Sequence, residues 1–297
     1  MPAHTSAFIG AYRLLYMIRS GRYCQVWAAI DDSTQRRFAI KHLLPEYRDD
    51  KDQLLALRHE YEVGSKLKGS LLLGAYGYGE ATACGPYLMM ELFVGLSLRE
   101  ILRDTWKQIQ PILPSIVEQT VDAVAQLHAQ GQVHLDIKPD NLMVNEQEEI
   151  RLIDFALTRR PPGRWERWFW KNRQKSIQGT RSYLSPEQIR REPIDYRSDV
   201  YGLGCTLYQL ASNVLPYTAP HSNELLIKHL HFPLPNLEVD NPAVSTTFAQ
   251  LVMKMMAKKP ENRFASAAEV ARELKLTPMY KEDTVPAARS RRPSLTK

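Results

Sequence analysis

The sequence predicts an α+β protein with two lobes, a small β-rich N-terminal lobe and a larger, mainly helical C-terminal lobe. Short apolar runs separated by turn residues fill residues 12–42, which is typical of strands. Beyond Gly95 the apolar residues recur at helical spacing instead. The length of 297 residues is large for a single hydrophobic core and sufficient for two.

The N-terminal lobe is predicted to begin with a β-meander. Its strands are separated by turn-forming residues at 20–21 and 31–35. After the meander the apolar spacing changes to that of a helix, over residues 52–68. The predicted strands of this lobe are 12–15, 26–30, 37–41, 71–78 and 87–92.

The C-terminal lobe is predicted to be mainly helical. A capping box of Ser115 and Glu118 is expected to begin a helix that Gly131 ends. A hairpin of two short strands then presents Asn141 and Asp154 side by side. The other predicted elements are the hairpin strands 142–144 and 150–153, a helix opened by Asp199, a helix over 247–257, and a helix over 266–276 with a capping box of Ser266 and Glu269.

Composition narrows the class of protein. With 44% apolar and 24% charged residues, the chain resembles an ordinary globular protein. It contains no apolar run of about eighteen residues, so no membrane span is expected, and residues 1–10 lack the layout of a secretory signal. Cys24, Cys84 and Cys205 are too widely spaced to predict a disulfide framework or a zinc site. The expected compartment is a reducing cytoplasm.

The net charge of +6 is concentrated in one internal segment and in the C-terminal tail. Residues 159–181 carry eight Arg or Lys against one Glu, and within them arginines alternate with aromatic residues from Arg164 to Lys171. Such a pattern can bind single-stranded nucleic acid, an anionic membrane surface or an acidic partner. The alternative is that the aromatic residues pack on the C-terminal lobe while the charges face water. The basic tail, residues 278–297, is predicted to be disordered.

The stretch from His134 to Asn141 combines a carboxylate, a cation and an amide in one short loop. Asp136 can orient and deprotonate a hydroxyl, and Lys138 can place positive charge on a moving phosphate. Asn141 offers an oxygen ligand to Mg²⁺. Asp154 follows thirteen residues after Asn141 as part of Asp-Phe-Ala, and Lys41 lies on a predicted strand far upstream. The ordered set predicts phosphoryl transfer.

This ordered set resembles the eukaryotic-type (Hanks-type) serine/threonine protein kinase family, from about residue 12 to about residue 275. The resemblance implies a bilobal protein kinase-like fold, ATP and Mg²⁺ as cofactors, and Ser or Thr hydroxyls of proteins as substrates. Lys138 in D-x-K-P-x-N and Thr180 in G-T-R-S-Y are typical of serine/threonine rather than tyrosine kinases. The implied divisions are an N-terminal arm 1–11, a kinase domain 12–277 with N-lobe 12–90, hinge 91–95 and C-lobe 96–277, and the tail 278–297.

The resemblance also implies roles for individual residues. Asp136 and Lys138 would be catalytic, and Asn141 and Asp154 would bind Mg²⁺. Lys41 would bind the α- and β-phosphates, and Glu60 would hold Lys41 in place. Glu62, two residues further on and on a different face of the helix, is the alternative partner for Lys41. The Glu91 carbonyl and the Phe93 amide would bond adenine at the linker between the lobes. The other residues implied in ATP binding are Ile18, Gly21, Val26, Ala39, Met90 and Met143.

Departures from the family pattern occur at three places. Residues 19–26 align with the phosphate-covering loop G-x-G-x-x-G-x-V, but only Gly21 and Val26 match, so a stiffer loop and weaker nucleotide binding are expected. Cys24 in this loop is either a small substitute or a redox or alkylation site. Ala156 replaces the glycine of D-F-G, which should make flipping of Phe155 harder. Leu135 replaces the arginine of H-R-D, which in much of the family clamps a phosphate on the activation segment.

These departures leave a second class of function open. The alternative is a pseudokinase scaffold or ATP-binding module with weak or no turnover, favoured by the degraded glycine loop and by Ala156. A third option is an adaptor that acts through the basic segment 159–181. The enzyme is favoured because the six charged or amide residues of the predicted site are all present. Two structural contacts are also implied, Glu187 with Arg263, and Asp199 with the backbone of the 134–141 loop.

Overall fold

The computed structural model describes residues 8–82, 84–163, 165–166 and 178–281. The chain divides into two compact units. Unit 1 comprises Met1–Val94 together with Asp154–Ala156, and unit 2 comprises Gly95–Ile153 and Leu157–Lys297. The predicted α+β class is confirmed, because unit 1 is built mainly from strands and unit 2 mainly from helices.

Unit 1 contains a six-stranded antiparallel sheet in the order β1-β2-β3-β4-β6-β5. Its centre is apolar, with Ala28, Ile40 and Leu88 fully buried on adjoining strands. β1 was not predicted; it is only two residues long, but it buries Ile9 against the sheet. The strands are β1 Phe8–Ile9, β2 Tyr12–Ser20, β3 Cys24–Asp31, β4 Arg37–Leu43, β5 Ala75–Ala81 and β6 Gly85–Met90.

The helix of unit 1, α1, spans Lys51–Gly64. Asp50 begins it, because its carboxylate accepts hydrogen bonds from the backbone amides of the first turn. The helix ends four residues earlier than the predicted residue 68. Its buried face carries Leu57, Glu60 and Gly64, so one charged residue points into the interior of the unit.

Unit 2 contains a three-stranded sheet and most of the helices. Leu96–Ser97, which the sequence did not identify as a strand, pairs with the predicted hairpin to complete the sheet. None of the helices in the described part of the chain is long and apolar enough to cross a membrane. The elements are β7 Leu96–Ser97, α2 Leu98–Asp104, α3 Trp106–Ile109, α4 Leu113–Ala129, β8 Leu142–Val144, β9 Ile150–Leu152, α5 Pro186–Arg190, α6 Tyr196–Ser212, α7 Ser222–His231, α8 Leu237–Asp240, α9 Thr246–Met255 and α10 Ala267–Leu274.

The capping box predicted at Ser115 and Glu118 is wrong. Helix α4 begins at Leu113, two residues before Ser115, and no side chain caps it. Leu113 and Ile116 are both fully buried, so apolar packing rather than a polar cap sets the start of this helix. Ser115 lies inside the helix, where its hydroxyl accepts a hydrogen bond from the Gln119 side chain at 3.3 Å.

Two other predicted helix starts also need correction. Ser266 precedes α10 but its side chain makes no capping bond, and the Glu269 carboxylate instead accepts from the Ala265 amide at 2.7 Å. Helix α6 begins three residues before Asp199 and is capped by Asp195, which accepts from the Arg197 amide. A buried Asp199 in the first turn is thereby left available for other contacts.

The first four residues of the predicted disordered tail are docked on unit 2. The Ser245 amide donates to the Met279 carbonyl at 3.0 Å, and the Lys281 amide donates to the Ala243 carbonyl at 3.0 Å. Met279 and Tyr280 are buried, and the Tyr280 hydroxyl donates to the Gln110 side chain at 2.9 Å. The prediction placed the end of the folded domain at 277, because the apolar pair was too short to stand out in a polar stretch. The rest of the predicted tail lies outside the described residues.

Candidate active site

Polar contacts in the 134–141 loop converge on Asp136. Its carboxylate accepts hydrogen bonds from the Lys138 ammonium at 2.6 Å and from the Thr180 backbone amide at 2.8 Å. The Asn141 side chain donates to the Asp136 carbonyl at 2.9 Å and to its carboxylate at 3.2 Å. Lys138 also donates to the Thr180 hydroxyl at 2.6 Å. Two side chains and one backbone amide therefore fix the orientation of this carboxylate.

The local sequence explains why these groups meet. Pro139–Asn141 forms a 3₁₀ turn that begins with proline, whose fixed φ suits a first helical position. The Asn141 carbonyl then accepts from the Ile153 amide at 3.0 Å, which ties the turn to the end of the β8–β9 hairpin. The turn brings Asn141 back to Asp136, five residues earlier in the chain.

The backbone before Asp136 is held in a strained conformation by buried side chains. Leu135 has a φ of +68°, a region that branched residues rarely adopt. The two carboxylate oxygens of Asp199 accept from the His134 amide at 2.7 Å and from the Leu135 amide at 2.8 Å. The Gln188 side chain donates to the Leu135 carbonyl at 2.9 Å. The predicted contact between Asp199 and this loop is present, and it holds the strain in place.

The side chain of Leu135 lies in an apolar cluster. It is 5% exposed and packs with the fully buried Val133 and Ile194, against which Leu157 and Tyr196 are also packed. An arginine at this position would either bury its charged guanidinium among apolar side chains or have to turn out of the cluster. In much of the family this position carries an arginine that binds phosphate. In this chain the side chain at residue 135 is apolar, and so are its surroundings.

A second group of charges lies in unit 1 around Lys41. Its ammonium is 2.6 Å from the Glu60 carboxylate and 3.5 Å from that of Asp154. Burial alone would lower the pKa of Lys41, but the negative charges of Asp154 and Glu60 outweigh burial and raise it. Glu62, the rival partner, instead contacts Arg58 on the surface, at 3.1 Å. The predicted contact between Lys41 and Glu60 is therefore present.

The residues next to Asp154 complete this group. Asp154 has a φ of +68°, and the following Phe155 is buried. A Cβ at Gly64, the last residue of α1, would lie 3.6 Å from the Phe155 ring and 3.0 Å from the Ala75 side chain. Glycine at that point leaves room for the ring. The predicted effect of Ala156 on flipping of Phe155 stays a prediction.

Most of the residues predicted to contact ATP lie in unit 1. Ala39 and Met90 are buried Cα partners on adjacent strands, and Val26 is the Cα partner of Lys41. The Glu91 amide donates to the Gly74 carbonyl at 2.9 Å. The remaining members are Ile18 on β2, Gly21 in the turn after it, Phe93 after β6, and, in unit 2, Met143 on β8. Their contacts with a nucleotide stay predictions.

Cys24 lies close to the charges around Lys41. Burial raises the pKa of its thiol, and the carboxylates of Asp154 and Glu60 raise it further, whereas Lys41 lowers it. A raised pKa keeps the sulfur as a thiol, which is a poor nucleophile. This electrostatic environment favours the interpretation of Cys24 as a small substitute for glycine over that of a reactive site.

The predicted pair of Glu187 and Arg263 is present as a two-pronged contact. The guanidinium donates to both carboxylate oxygens, at 2.8 and 2.9 Å. Burial would raise the pKa of Glu187, but the hydrogen bonds and charge of Arg263 outweigh burial and lower it. Ser198 donates a further hydrogen bond to the same carboxylate at 2.8 Å. The pair joins α5 to the segment before α10 and is structural.

Only part of the basic aromatic segment can be placed. Residues 164 and 167–177 lie outside the described residues. Trp165 is 87% exposed, which disagrees with packing of this aromatic residue on the rest of unit 2. The predictions of a nucleic acid, membrane or acidic partner at 159–181 stay predictions.

Sequence reasoning did not identify Gln188 or the second role of Thr180. The spacing of Ser185 and Gln188 in the sequence is that of a capping box, and the structure shows this box at the start of α5. The start of that helix could therefore have been predicted. The bond from Gln188 to Leu135 spans 53 residues and has no local signal. Thr180 was recognised as a mark of substrate type, but its bonds to Asp136 and Lys138 appear only in three dimensions.

Comparison with known proteins agrees with this geometry. Residues 12–274 match the family model described as protein kinase domain. The chain is 30% identical over 277 residues to the serine/threonine-protein kinase PknB of Mycobacterium tuberculosis, covering 92% of this chain and 43% of the relative. It is 29% identical over 266 residues to the serine/threonine-protein kinase PrkC of Bacillus subtilis, covering 90% of this chain and 40% of the relative. The chain thus spans less than half the length of these curated relatives.

Proposed function

Because this chain belongs to the protein kinase domain family, we propose that it transfers the γ-phosphate of ATP to Ser or Thr hydroxyls of proteins. The observation that supports the proposal most strongly is the arrangement around Asp136. Its carboxylate accepts hydrogen bonds from the side chains of Lys138 and Asn141 and from the backbone amide of Thr180. The similarity to PknB and PrkC, both named serine/threonine-protein kinases, supports the same substrate class.

In the proposed reaction, the substrate hydroxyl oxygen attacks the γ-phosphorus while the bond from that phosphorus to the bridging oxygen of ADP breaks. Asp136 orients the hydroxyl and accepts its proton. Lys138, 2.6 Å from Asp136, supplies positive charge beside the transferred group. Lys41 is kept as an ammonium by Glu60 and Asp154, and it would hold the α- and β-phosphates.

The oxygen donors present fit Mg²⁺ as the divalent cation. Asp154 offers a carboxylate. In the described contacts the side chain of Asn141 donates through its nitrogen, which leaves its amide oxygen to accept. Within the described residues no group of three or more His, Cys, Asp or Glu side chains could hold an ion by itself. Mg²⁺ suits donors of this kind because it commonly takes only one or two carboxylates and completes its shell with phosphate oxygens and water. When bound, it would neutralise charge on the phosphates.

The substrates we propose are proteins with an accessible Ser or Thr. An anionic partner at residues 159–181 is a further hypothesis, which rests on the charge of that segment alone. The proposed location is the cytoplasm, consistent with the free thiols of the three cysteines. The pseudokinase alternative keeps the fold without turnover, and no contact described above favours it.

The test is phosphate transfer from γ-labelled ATP to a generic basic protein by the purified chain, with and without Mg²⁺. We expect label in the substrate as phosphoserine or phosphothreonine, only when Mg²⁺ is present. Asp136→Asn keeps the size of the side chain but removes the base, so it serves as the matched inactive variant. Equal labelling by the parent and by Asp136→Asn would show that the catalytic assignment is wrong. Retained ATP binding without transfer by the parent would favour the pseudokinase.

A further inference from the structure

The turn between β2 and β3 has lost two of the three glycines that the family resemblance leads one to expect. The last pair in the β2–β3 ladder is Ser20 opposite Gln25, which leaves four residues for the turn. Within it, the Gly21 amide donates to the Cys24 carbonyl at 2.8 Å. With only one glycine, this turn has less backbone freedom than the family pattern would give it.

Tyr23 in this turn is attached to the segment that follows β4. Its backbone carbonyl accepts a hydrogen bond from the Leu44 amide at 2.8 Å. Its ring meets the ring of Tyr47 edge to face, with centroids 5.0 Å apart and planes at 85°. The Arg22 guanidinium lies 5.1 Å from the centroid of the Tyr23 ring. Both the backbone and the side chain of Tyr23 are therefore held by contacts that depend on direction.

The attached turn leads directly to Lys41. Strands β3 and β4 pair in register, so that Cys24 lies opposite Leu43 and Val26 lies opposite Lys41. Cys24 immediately follows Tyr23 in the sequence. Its thiol lies close enough to Lys41 and Asp154 for both charges to shift its pKa. The turn therefore ends beside the cluster that would hold the nucleotide phosphates.

We propose that Tyr23 and Tyr47 are positioning residues that fix the β2–β3 turn in the conformation that receives the phosphates of ATP. This inference rests on the proposed function, because it concerns the same nucleotide. A glycine-rich loop is free in the absence of ligand and loses that freedom when the ligand binds. The turn in this chain is held in advance by the two tyrosines, which reduces the entropy lost on binding.

The first experiment replaces Tyr47, because it lies outside the turn and its loss leaves the turn's own sequence intact. In Tyr47→Ala we expect the affinity for ADP and for ATP to fall about three- to tenfold, the range that one edge-to-face aromatic contact accounts for. The affinity for adenosine should stay at the parent value, because adenosine has no phosphates for the turn to receive. Isothermal titration with each of the three ligands measures the difference.

Conservative and distant variants separate positioning from general stability. Tyr23→Phe and Tyr47→Phe keep both rings and should bind all three ligands as the parent does. Tyr76→Ala removes a similar edge-to-face contact, with Phe38 at 6.2 Å in the same unit, and should not change the selectivity for phosphates. The double variant Tyr23→Ala/Tyr47→Ala should lose no more affinity than Tyr23→Ala alone, because both changes remove one shared contact.

Two results would overturn the inference. One is an unchanged affinity for ADP and ATP in Tyr47→Ala, and the other is an equal loss for adenosine and for ATP. Should Tyr47→Ala fail to fold, hydrogen exchange of the Leu44 amide in the parent decides, since slow exchange is expected and fast exchange contradicts the attachment of Tyr23. A parent that binds ATP but transfers no phosphate would refute the proposed function and leave the positioning role intact.

Discussion

Glu60 and Glu62 are two residues apart on α1, but their carboxylates lie in different surroundings. The Glu60 side chain is 5% exposed and lies 2.6 Å from the Lys41 ammonium. The Glu62 side chain is 51% exposed and contacts Arg58, also on the surface. Exposed ion pairs contribute little to stability because water and salt screen their charges. Removal of one partner of a buried pair costs more, because it leaves a buried charge without compensation.

The first prediction follows from this difference. Glu60→Gln removes the charge that holds Lys41, and we expect kcat/KM for phosphate transfer to fall by a factor on the order of 10². Glu62→Gln changes the same chemical group on a different, exposed face of the helix and should leave kcat/KM unchanged. Steady-state kinetics with labelled ATP measure both variants. Equal losses in the two variants would mean that α1 as a whole, and not the contact with Lys41, is responsible.

At the scale of single residues, the sequence predicted the residues of the site and the few contacts that the family resemblance implies. The order of Lys41, Glu60 and Asp136 along the chain was enough to predict a site, because each residue type has a definite chemical use. The attachment of Tyr23 to Tyr47 could not be predicted, because nothing in a tyrosine 24 residues away indicates which ring it will meet. From the glycine-loop pattern the sequence showed only that two of the three glycines are absent, and not which contacts this turn makes.

At the scale of elements, α7 carries a buried histidine that affects stability. His229 is fully buried, and the Tyr201 hydroxyl lies 2.8 Å from its Nδ1. Burial, helped by the nearby charge of Lys258, lowers its pKa to about 4. The folded protein therefore keeps this imidazole neutral at pH values where an exposed histidine is protonated.

The second prediction is a loss of stability in mild acid. Between the ordinary histidine pKa of about 6.5 and the lowered value of about 4, the unfolded chain binds a proton at residue 229 and the folded chain does not. Stability from this group is present above about pH 6.5 and falls by up to about 1.4 kcal/mol per pH unit as the pH drops through this window. Urea unfolding at pH 7, 6 and 5 measures the slope.

Two variants on the same helix provide the comparison for this slope. His229→Gln has no proton to gain, so its stability should depend less on pH than that of the parent. His231→Gln changes an exposed histidine at the end of α7 and should keep the slope of the parent. If His229→Gln and the parent lose stability in parallel, protonation at residue 229 is not the cause.

Helix boundaries were harder to predict than helices. The S-x-x-E spacing at Ser115 and at Ser266 occurs without forming a capping box, while the box of Ser97 and Glu100 does begin α2. The difference lies in the tertiary structure, because Leu113 is buried and draws the start of α4 toward the core. A four-residue pattern contains no information about such packing.

At the scale of the whole molecule, the surroundings of Leu135 bear on how activity is controlled. An apolar side chain in a buried cluster offers no charge to a phosphate on Thr180 or Ser182. The Thr180 hydroxyl and amide are already bonded to Lys138 and to Asp136. The contacts that hold the 134–141 loop therefore form without a phosphate.

The third prediction is that activity does not depend on a phosphate at Thr180 or Ser182. After phosphatase treatment, the purified chain should keep nearly its full rate of transfer in the first turnovers, before it can phosphorylate itself again. Initial rates measured immediately after ATP addition test this. A large loss that is recovered by preincubation with ATP would point to a different cluster of arginines as the phosphate site.

The docking of Pro278–Lys281 determines where this domain can be shortened. A chain ended at Thr277 would lose Met279 and Tyr280, and burial of one large apolar side chain is worth about 1.5–3 kcal/mol. We expect that chain to melt at a lower temperature than one ended at Lys281. The smallest fragment that keeps full thermal stability would then include a short strap bonded to residues 243–245, just before α9. Equal melting of the two shortened chains would contradict this.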